Sequence, residues 1–290
     1  MAFNYSEAFS RTLGWISPEE QAILRRSKVA IAGLGGVGGS HLLTLTRLGI
    51  GAFSISDLDT FELANFNRQA GASAPHLGRP KIEVLAELAR DINPEVSIDL
   101  FPTGIDAHNV GQFLTGVDVY VDGLDYFALK ARQQVFAYCD RYQIPGVTAA
   151  PLGMGAAMLT FMPGKMSFED YFCLAEVPEA EQLVRFLVGL APAMLQRHYL
   201  VYPAAVDFAA RKGPSTPMAC ELCAGMAATQ VLKILLGRGG IRAAPWGVHF
   251  DAYQHRLKQT WRPWGNRNPL QKLAIALARR ILNNAQTQKH

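Results

Sequence analysis

A short glycine-rich run and an acidic residue stand at a fixed distance from each other in the first quarter of the chain. The run Gly-x-Gly-x-x-Gly extends from Gly33 to Gly38, and Asp57 follows nineteen residues later. Glycines let backbone N–H groups approach phosphates at a helix N-terminus, and a carboxylate at this spacing accepts hydrogen bonds from ribose hydroxyls. The pattern predicts nucleotide binding. The alternative is a glycine-rich turn that only packs a helix closely on a strand.

Cationic and amide side chains follow Asp57 within 25 residues. Asn65 and Arg68 are close in sequence, and Lys81 comes after a turn-forming Gly-Arg-Pro. A redox dinucleotide needs few charges near its reactive ring, whereas two cations with amide donors suit the charge that builds on a polyphosphate under nucleophilic attack. These residues therefore favour a nucleoside triphosphate, with a solvated, salt-bridged loop as the alternative.

Two further carboxylates, Asp122 and Asp125, follow an apolar run that ends at Val121. Both are expected at a strand end that faces the same crevice as the glycines. A hard cation that bridges phosphates prefers carboxylate oxygen, so the pair predicts a Mg²⁺ position. The alternative, that one of them caps a helix beginning at Tyr126, is compatible with metal binding.

The scaffold for these side chains is indicated by regular alternation of strand and helix patterns over about 150 residues. Short apolar runs predict strands at 28–33, 52–56, 96–101, 117–121 and 146–149, with helices between them at 40–49, 81–92, 107–114 and 126–142. Right-handed crossovers then give a doubly wound, mainly parallel α/β sheet. In such a sheet the carboxyl ends of the strands meet at one edge, where ligands bind.

The pattern loosens after residue 151. A strand is predicted at 157–161, a long helix at 218–236, a strand at 247–251 and a terminal helix at 270–283. We divide the chain into an N-terminal helical arm (1–27), a nucleotide-binding α/β domain (28–165), a substrate and dimer region continuous with it (166–251), and a basic C-terminal tail with an amphipathic helix (252–290).

Composition and charge narrow the class of protein. With 49% apolar and 18% charged residues in 290, the chain is too apolar for disorder and too mixed for a coiled coil. The net charge of +4 is uneven, because residues 1–251 carry −4 and residues 252–290 carry +8 with no acidic residue. We expect the basic helix to dock its apolar face on the body or on a partner subunit, with RNA as the weaker alternative. No secretory signal is evident, so we expect a cytoplasmic protein.

Taken together, the motifs resemble the E1-like adenylating enzymes, the ThiF/MoeB/ubiquitin-activating superfamily, in order and spacing. The resemblance covers roughly residues 11–150 and, more weakly, the helix at 218–236. It implies a Rossmann-like fold of the ThiF/MoeB type. The matching pieces are Gly33–Gly38, Asp57-x-Asp59, Asn65-x-x-Arg68-Gln69, Lys81, Asn93-Pro94 and Asp122-Gly-Leu-Asp125.

The resemblance implies an activity: with ATP and Mg²⁺, a carboxylate attacks the α-phosphate to give an acyl-adenylate and pyrophosphate. It also implies a homodimer in which Arg11 is supplied by the partner subunit, and Asp125 as the magnesium-binding aspartate. The implied catalytic residues are Arg11, Arg68, Lys81 and Asp125. The implied nucleotide-binding residues are Gly33, Gly35, Gly36, Gly38, Asp57, Asp59, Asn65 and Gln69.

The cysteines depart from the family pattern. Many members close a zinc site with two Cys-x-x-Cys pairs, whereas this chain has one pair, Cys220 and Cys223, and no later cysteine. We therefore expect no zinc and read the pair as buried small residues on a helix face. Cys173 is the candidate acyl-accepting thiol, with a core cysteine as the alternative. The cysteine-poor pattern is closer to members without zinc, including the tRNA threonylcarbamoyladenosine dehydratases.

The expected substrate is a carboxylate on a ubiquitin-like protein, a peptide or a modified tRNA nucleoside, with neither a membrane nor DNA as a partner. Two other functions stay open at this point. An NAD(P)-dependent oxidoreductase that shares only the glycine loop would bind nicotinamide and tolerate Arg68→Ala. A non-catalytic module would bind ATP and show no exchange of pyrophosphate.

Overall fold

Strands and helices alternate along the chain in a computed structural model that describes residues 3–206, 211 and 213–287. The strands are β1 (Lys28–Ala32), β2 (Ala52–Ser56), β3 (Ser97–Phe101), β4 (Val119–Asp122), β5 (Gly146–Leu152), β6 (Gly155–Phe161), β7 (Trp246–Asp251) and β8 (Arg256–Trp261). The helices are α1 (Tyr5–Ala8), α2 (Pro18–Arg26), α3 (Gly36–Leu48), α4 (Lys81–Ile92), α5 (Val110–Phe113), α6 (Leu129–Arg141), α7 (Phe168–Phe172), α8 (Glu179–Leu190), α9 (Pro217–Leu236) and α10 (Pro269–Thr287).

The strands described form one sheet in the order β3-β2-β1-β4-β5-β6-β7-β8. Strands β1 to β5 pair in parallel, and β6, β7 and β8 extend the sheet in antiparallel fashion. The strand order reverses beside β1, which pairs with β2 on one side and β4 on the other. Ligands of open α/β sheets bind at this switch point. The predicted fold class, a doubly wound and mainly parallel sheet, is confirmed.

Both faces of the parallel part are covered, because side chains that alternate along each strand enter two separate cores. Val29 and Ile31 of β1 pack under α3, α4 and α9, whereas Ala30 and Ala32 face the core that contains α6, α7 and α8. All four residues of β4 are buried. A parallel strand covered on both faces reads as a continuous apolar run, which is why the sequence located β1 and β4.

Helix α9 is one helix of the described chain that is long and apolar enough to cross a membrane. It packs against α3, β5 and β6, and eight of its residues are buried, including Cys220 and Cys223. Such packing is typical of the core helix of a globular α/β protein. The position of the helix is close to the predicted one, at 218–236.

Several elements differ from the sequence-based expectation. Strand β8 and helices α7 and α8 were not predicted, and the predicted helices at 107–114 and 126–142 are shorter at their N-terminal ends. Strand β8 was not predicted because five of its six residues are exposed, so it has no alternation of apolar and polar residues. Its Arg256 and Lys258 suit an edge strand, where charged side chains oppose pairing with another chain.

Helix α10 docks on the body of its own chain. Its Ile275 is buried against Val184 and Val188 of α8, and Arg279 forms a 2.8 Å ion pair with Glu181. Ile275 therefore docks on the body. The expected docking of the whole apolar face is wrong, because three of its leucines are 62%, 60% and 51% exposed: Leu270, Leu273 and Leu277. Residues 288–290 of the predicted tail lie outside the described residues.

Burial of His41 predicts that acid destabilises the fold. This α3 side chain is fully buried, both ring nitrogens lack a hydrogen-bond partner within the described residues, and burial lowers its pKa to about 4. Between pH 6.5 and 4 the unfolded chain binds a proton that the folded chain does not, so stability is complete above pH 6.5 and falls below it. We expect a loss of about 2 kcal/mol between pH 7 and pH 5 from this residue.

Urea unfolding at the two pH values measures this loss, and His41→Leu is the matched variant. An apolar side chain of similar size keeps the site filled and removes the titration, so the difference between pH 7 and pH 5 should shrink by about 2 kcal/mol. An unchanged difference would assign the acid sensitivity to other groups.

Candidate nucleotide site

The glycine loop is formed where β1 ends and α3 begins. Gly33 has a φ of +82°, and a Cβ on it would overlap the backbone of Gly123, which follows β4. A Cβ on Gly38 would overlap the carbonyl oxygen of Gly33. Helix α3 has Gly35 as its N-cap, with no side-chain hydrogen bond to its first N–H groups. Close backbone packing and an open helix N-terminus together make this loop suitable for an anion.

Substitution of Gly38 should destabilise the protein because its neighbour is backbone and cannot move aside. We expect Gly38→Ala to cost about 3 kcal/mol or more, the upper range for overpacking a closely packed site. The matched control is Gly225→Ala in α9, where a Cβ meets nothing within 4 Å. The control should be neutral or stabilising by about 0.5 to 1 kcal/mol. Urea unfolding of both variants measures the contrast, and equal stabilities would contradict it.

Asp57 is fixed at the end of β2, next to the glycine loop. Its Oδ2 accepts a hydrogen bond from Leu34 N at 2.6 Å, and its Oδ1 accepts one from Asp59 N at 2.8 Å. Burial raises the pKa of this carboxyl, while the two backbone donors and the charge of Lys81 oppose the rise. The carboxylate is therefore held in one orientation beside the loop, as a ribose acceptor requires.

Asn65 builds the turn that carries the first cation. The buried Asn65 side chain accepts a hydrogen bond from Glu62 N at 2.9 Å, and its carbonyl accepts from the N–H groups of Arg68 and Gln69. Asn65 therefore shapes the turn through contacts with its own segment. This places the two following side chains at the glycine loop.

Arg68 and Gln69 lie next to the glycine loop. The Cγ and Cδ atoms of Arg68 lie 3.5 Å from the point that a Cβ on Gly36 would occupy, and Nε2 of Gln69 lies 3.8 Å from the corresponding point on Gly35. Gln69 is buried, yet its Oε1 has no hydrogen-bond partner among the described residues. The structure thus brings a cation and an amide to the N-terminus of α3.

Lys81, the first residue of α4, is only 5% exposed. Its Nζ forms a 2.9 Å ion pair with Oδ2 of Asp59, and its N–H donates to the Asp59 carbonyl. Two residues predicted to bind the nucleotide therefore contact each other. The pair places an ammonium group beside Asp57, close enough to lower the pKa of that carboxyl.

The two carboxylates after β4 have different environments, which corrects the expectation that both face the crevice. Asp122 is 3% exposed and forms a 2.7 Å ion pair with Arg132, and Thr148 donates to it at 2.7 Å. Its oxygens are thus occupied within the protein. Asp125 is exposed, and its Oδ1 accepts a hydrogen bond from Phe127 N at 3.0 Å. Asp125 therefore lies just beyond the end of β4, in the turn before α6.

Arg11 lies away from the glycine loop of its own chain. The preceding helix α1 is fixed at the C-terminal end of α3, where the Tyr5 hydroxyl donates to the carbonyl of Gly49. The glycine loop stands at the other end of α3, which has 13 residues and is therefore roughly 20 Å long. The exposed Arg11 side chain does not join the other predicted catalytic residues within one chain.

The cysteines occupy positions that the sequence did not distinguish. Cys173 follows α7, and its hydrogen bonds connect it to α7 and α8 and not to the glycine loop. Burial raises its pKa. The fully buried Cys220 lies at the loop instead, with Sγ 2.9 Å from the point that a Cβ on Gly36 would occupy. Among the described residues no group of three or more His, Cys, Asp or Glu side chains is arranged to hold a metal ion.

Sequence comparisons show which known proteins this chain resembles. A family model described as "ThiF family" matches residues 9–273. The tRNA threonylcarbamoyladenosine dehydratase of Haemophilus influenzae is 32% identical over 151 residues, which cover 52% of this chain and 57% of that protein. The SAMP-activating enzyme E1 of Haloferax volcanii is 35% identical over 164 residues, covering 57% and 59%. The chain spans about half the length of the curated relatives it matches.

Solved structures share the fold. The crystal structure of PaaA has a TM-score of 0.68 at 17% identity, covering 90% of this chain and 74% of that one. Escherichia coli MccB with ATP has a TM-score of 0.66 at 20% identity, covering 90% and 73%. The E. coli threonylcarbamoyladenosine dehydratase TcdA has a TM-score of 0.59 at 23% identity, covering 80% and 95%. The resemblance to E1-like adenylating enzymes is confirmed, and because the family model matches most of its length, the chain belongs to the ThiF family.

Proposed function

We propose that the protein is an adenylyltransferase that uses ATP to activate a carboxylate. The observation that carries this function is the convergence of Arg68, Gln69 and the Lys81–Asp59 pair on the glycine loop, beside a fixed Asp57. Cations and amide donors at the N-terminus of α3 suit a triphosphate whose charge rises during attack at phosphorus. A redox dinucleotide needs few charges near its nicotinamide ring, so these two cations disfavour the oxidoreductase.

The proposed reaction needs no side-chain nucleophile. A substrate carboxylate oxygen forms a bond to the α-phosphorus of ATP, and the bond from that phosphorus to the bridging oxygen of pyrophosphate breaks. The glycine loop and Asp57 hold the nucleotide in place, while Arg68 and Lys81 neutralise charge on the phosphates as the bond breaks. Catalysis is then positioning combined with electrostatic stabilisation.

We propose Asp125 as the protein ligand of Mg²⁺. Its carboxylate is exposed at the end of β4, on the edge of the sheet where the glycine loop lies. Mg²⁺ commonly takes one or two protein carboxylates together with substrate phosphates and water, so one exposed aspartate fits. When bound, the ion would neutralise phosphate charge. Asp122 is excluded as a ligand because its carboxylate is engaged by Arg132 and Thr148.

We also propose a homodimer in which each subunit supplies Arg11 to the site of the other. Support comes from the position of Arg11 beyond the far end of α3, where it cannot reach the triphosphate of its own chain. An arginine supplied in trans stabilises transition-state charge in other phosphoryl-transfer enzymes. The substrate class is a carboxylate on a protein, peptide or tRNA nucleoside. The named relatives include enzymes for SAMP, for ThiS and for tRNA.

The proposed function is tested by ATP–pyrophosphate exchange, screened over candidate carboxylates. We expect exchange with one class of carboxylate and a loss of about 100-fold or more in Asp125→Ala. The matched control is Asp91→Ala, which removes an exposed carboxylate at the far end of α4 and should keep the wild-type rate of pyrophosphate exchange. Nicotinamide binding would favour the oxidoreductase. ATP binding without exchange for any carboxylate would leave only a non-catalytic module, and exchange that survives Asp125→Ala would exclude the metal assignment.

A further inference from the structure

Helix α10 carries a second apolar stripe, on the side that faces away from the body. Leu270, Leu273 and Leu277 are each more than half exposed. Since an α-helix turns by about 100° per residue, these three positions lie within an arc of about 60°. The buried Ile275 stands on nearly the opposite side of the helix, about 170° from the centre of that arc. We call Leu270, Leu273 and Leu277 the leucine stripe.

Contacts on the other side of α10 hold the helix on the body. Nε2 of the buried Gln271 donates to the carbonyl of Val188 at 3.2 Å, and Ile275 packs in one cluster with the same valine. One turn further along, Arg279 forms its ion pair with Glu181. The docked face is thus in place, so loose docking of the helix does not explain why the leucine stripe is exposed.

The charges around the leucine stripe have one sign. Lys272 and Arg280 are exposed on α10, and Arg267 is exposed just before the helix begins. The chain has no acidic residue after Asp251. Arg280 stands about 20° from Leu273 around the helix axis. Leucines beside basic side chains are typical of helices that lie in the plane of a lipid interface.

An exposed tryptophan stands at the N-terminal end of the helix. Trp264 lies in the turn between β8 and α10 and is 65% exposed. The backbone of the next residue, Gly265, packs so closely on Tyr171 of α7 that a Cβ would overlap its carbonyl oxygen, which fixes the turn. Tryptophan is enriched at membrane–water interfaces, because its ring is apolar and its N–H is a hydrogen-bond donor.

The charge pattern distinguishes the partners that could cover the leucine stripe. A second copy in a symmetric contact would place identical surfaces against each other, so the cations of one helix would approach those of the other. RNA would pair with the cations but would leave the leucines in water. An anionic lipid surface takes both groups, because leucines enter the acyl boundary while cations contact the headgroups.

We propose that α10 binds an anionic lipid surface, with the leucine stripe at the acyl boundary and with Lys272 and Arg280 in contact with lipid phosphates. The contact is peripheral, since the helix lies on the surface and its opposite side remains docked on α8. The proposal replaces the sequence-based expectation that a membrane is not a partner. It is independent of the proposed adenylyltransferase activity.

The test is cosedimentation of the full chain with sucrose-loaded vesicles, made of phosphatidylcholine alone or of phosphatidylcholine and phosphatidylglycerol in equal parts. We expect the anionic vesicles to bind about tenfold more tightly or better. Leu273→Asp/Leu277→Asp should lower that affinity about tenfold or more. Lys272→Gln/Arg280→Gln should lower it about fivefold for each cation removed. The four side chains are exposed, so the variants should fold, and urea unfolding checks this.

The matched control is Leu257→Asp, which changes a leucine of similar exposure on β8. Leu257 pairs with Phe250, which in turn pairs with Ala156 of the core under α9. Directly paired residues share one face of a sheet, so Leu257 lies on the face opposite to the core that contains α8. This variant should bind anionic vesicles as the wild type does.

Contrary results are equally clear. Wild-type protein that stays in the supernatant with anionic vesicles would overturn the inference, and so would equal binding of wild type and Leu273→Asp/Leu277→Asp. Self-association that this double variant abolishes, without vesicle binding, would assign the leucine stripe to a second copy of the chain. None of these measurements uses pyrophosphate exchange, so a failure of the adenylation proposal would leave them unaffected.

Discussion

Arg68→Ala should lower the rate of ATP–pyrophosphate exchange by two to three orders of magnitude while the protein stays folded. A loss of this size is found when one preorganised hydrogen-bond donor to a transition state is removed. The side chain lies over Gly36, and within the described residues its hydrogen bonds are short-range ones, to Ala64 O and Asn67. Its loss therefore leaves no distant buried group unpaired. Arg90→Ala, an exposed arginine on α4, is the matched control and should keep full exchange.

Mixing this variant with Arg11→Ala tests whether the second arginine acts across a dimer. Each variant alone should be nearly inactive. In a mixed dimer, the subunit with intact Arg68 receives an intact Arg11 from its partner, while the other site lacks both. Random reassembly gives mixed dimers in half of the population, so about a quarter of wild-type exchange should return.

The mixing experiment also has clear contrary outcomes. No recovery after denaturation and reassembly, with dimers present, would show that Arg11 does not act in trans. Full activity of Arg11→Ala alone would make this residue an ordinary surface arginine. A monomer that exchanges pyrophosphate at the full rate would remove the dimer from the mechanism. Sedimentation and exchange assays on the same samples separate these cases.

Asp122→Ala should destabilise the fold by about 3–5 kcal/mol, because it leaves the Arg132 guanidinium charged and buried without its partner. Arg132 is 3% exposed and lies 2.7 Å from Asp122, with its charge centre 4.6 Å from the Phe186 ring centroid. The control is Asp99→Ala, which breaks the ion pair between the exposed Asp99 and the partly buried Lys28 and should cost less than about 1 kcal/mol. Urea unfolding of both variants measures the difference.

The double variant Asp122→Leu/Arg132→Met shows where the cost of Asp122→Ala arises. Removing both charges leaves no unpaired ion, so the double variant should be more stable than Asp122→Ala. A double variant as unstable as the single one would show that the loss comes from the Thr148 and Leu124 hydrogen bonds to Asp122 and not from the stranded charge.

Local patterns made the nucleotide-binding half of the fold predictable. Strand β1, the glycine run and α3 follow one another without interruption, so periodicity and glycine positions specify them together. The position of Asp57 at the end of β2 is predictable from the same unit of β1, α3 and β2. Strand β8 was missed since its exposed residues give no alternation, and α8 was missed because prolines and glycines around it obscured the helical period.

Contacts between distant parts of the chain explain what the sequence could not predict at the site. Nothing in the spacing of Asp122 and Asp125 tells which one turns inward, because that depends on Arg132 in α6 and Thr148 in β5. Ser215 contacts Asn67 from 148 residues further along the chain. Cys220 reaches Gly36 from a still more distant part of the sequence. Only the folded structure shows that they are neighbours.

The central position of β1 in the sheet determines how ligand binding is transmitted to the rest of the molecule. Two strands, β2 and β3, lie on one side of β1, and five strands, β4 to β8, lie on the other. Amide hydrogens of β1 and β4 then exchange with solvent only when the whole sheet opens, whereas those of β3 and β8 exchange by local fraying. A nucleotide held at the ends of β1 and β4 therefore slows exchange everywhere in the core by mass action and leaves the edge strands nearly unchanged.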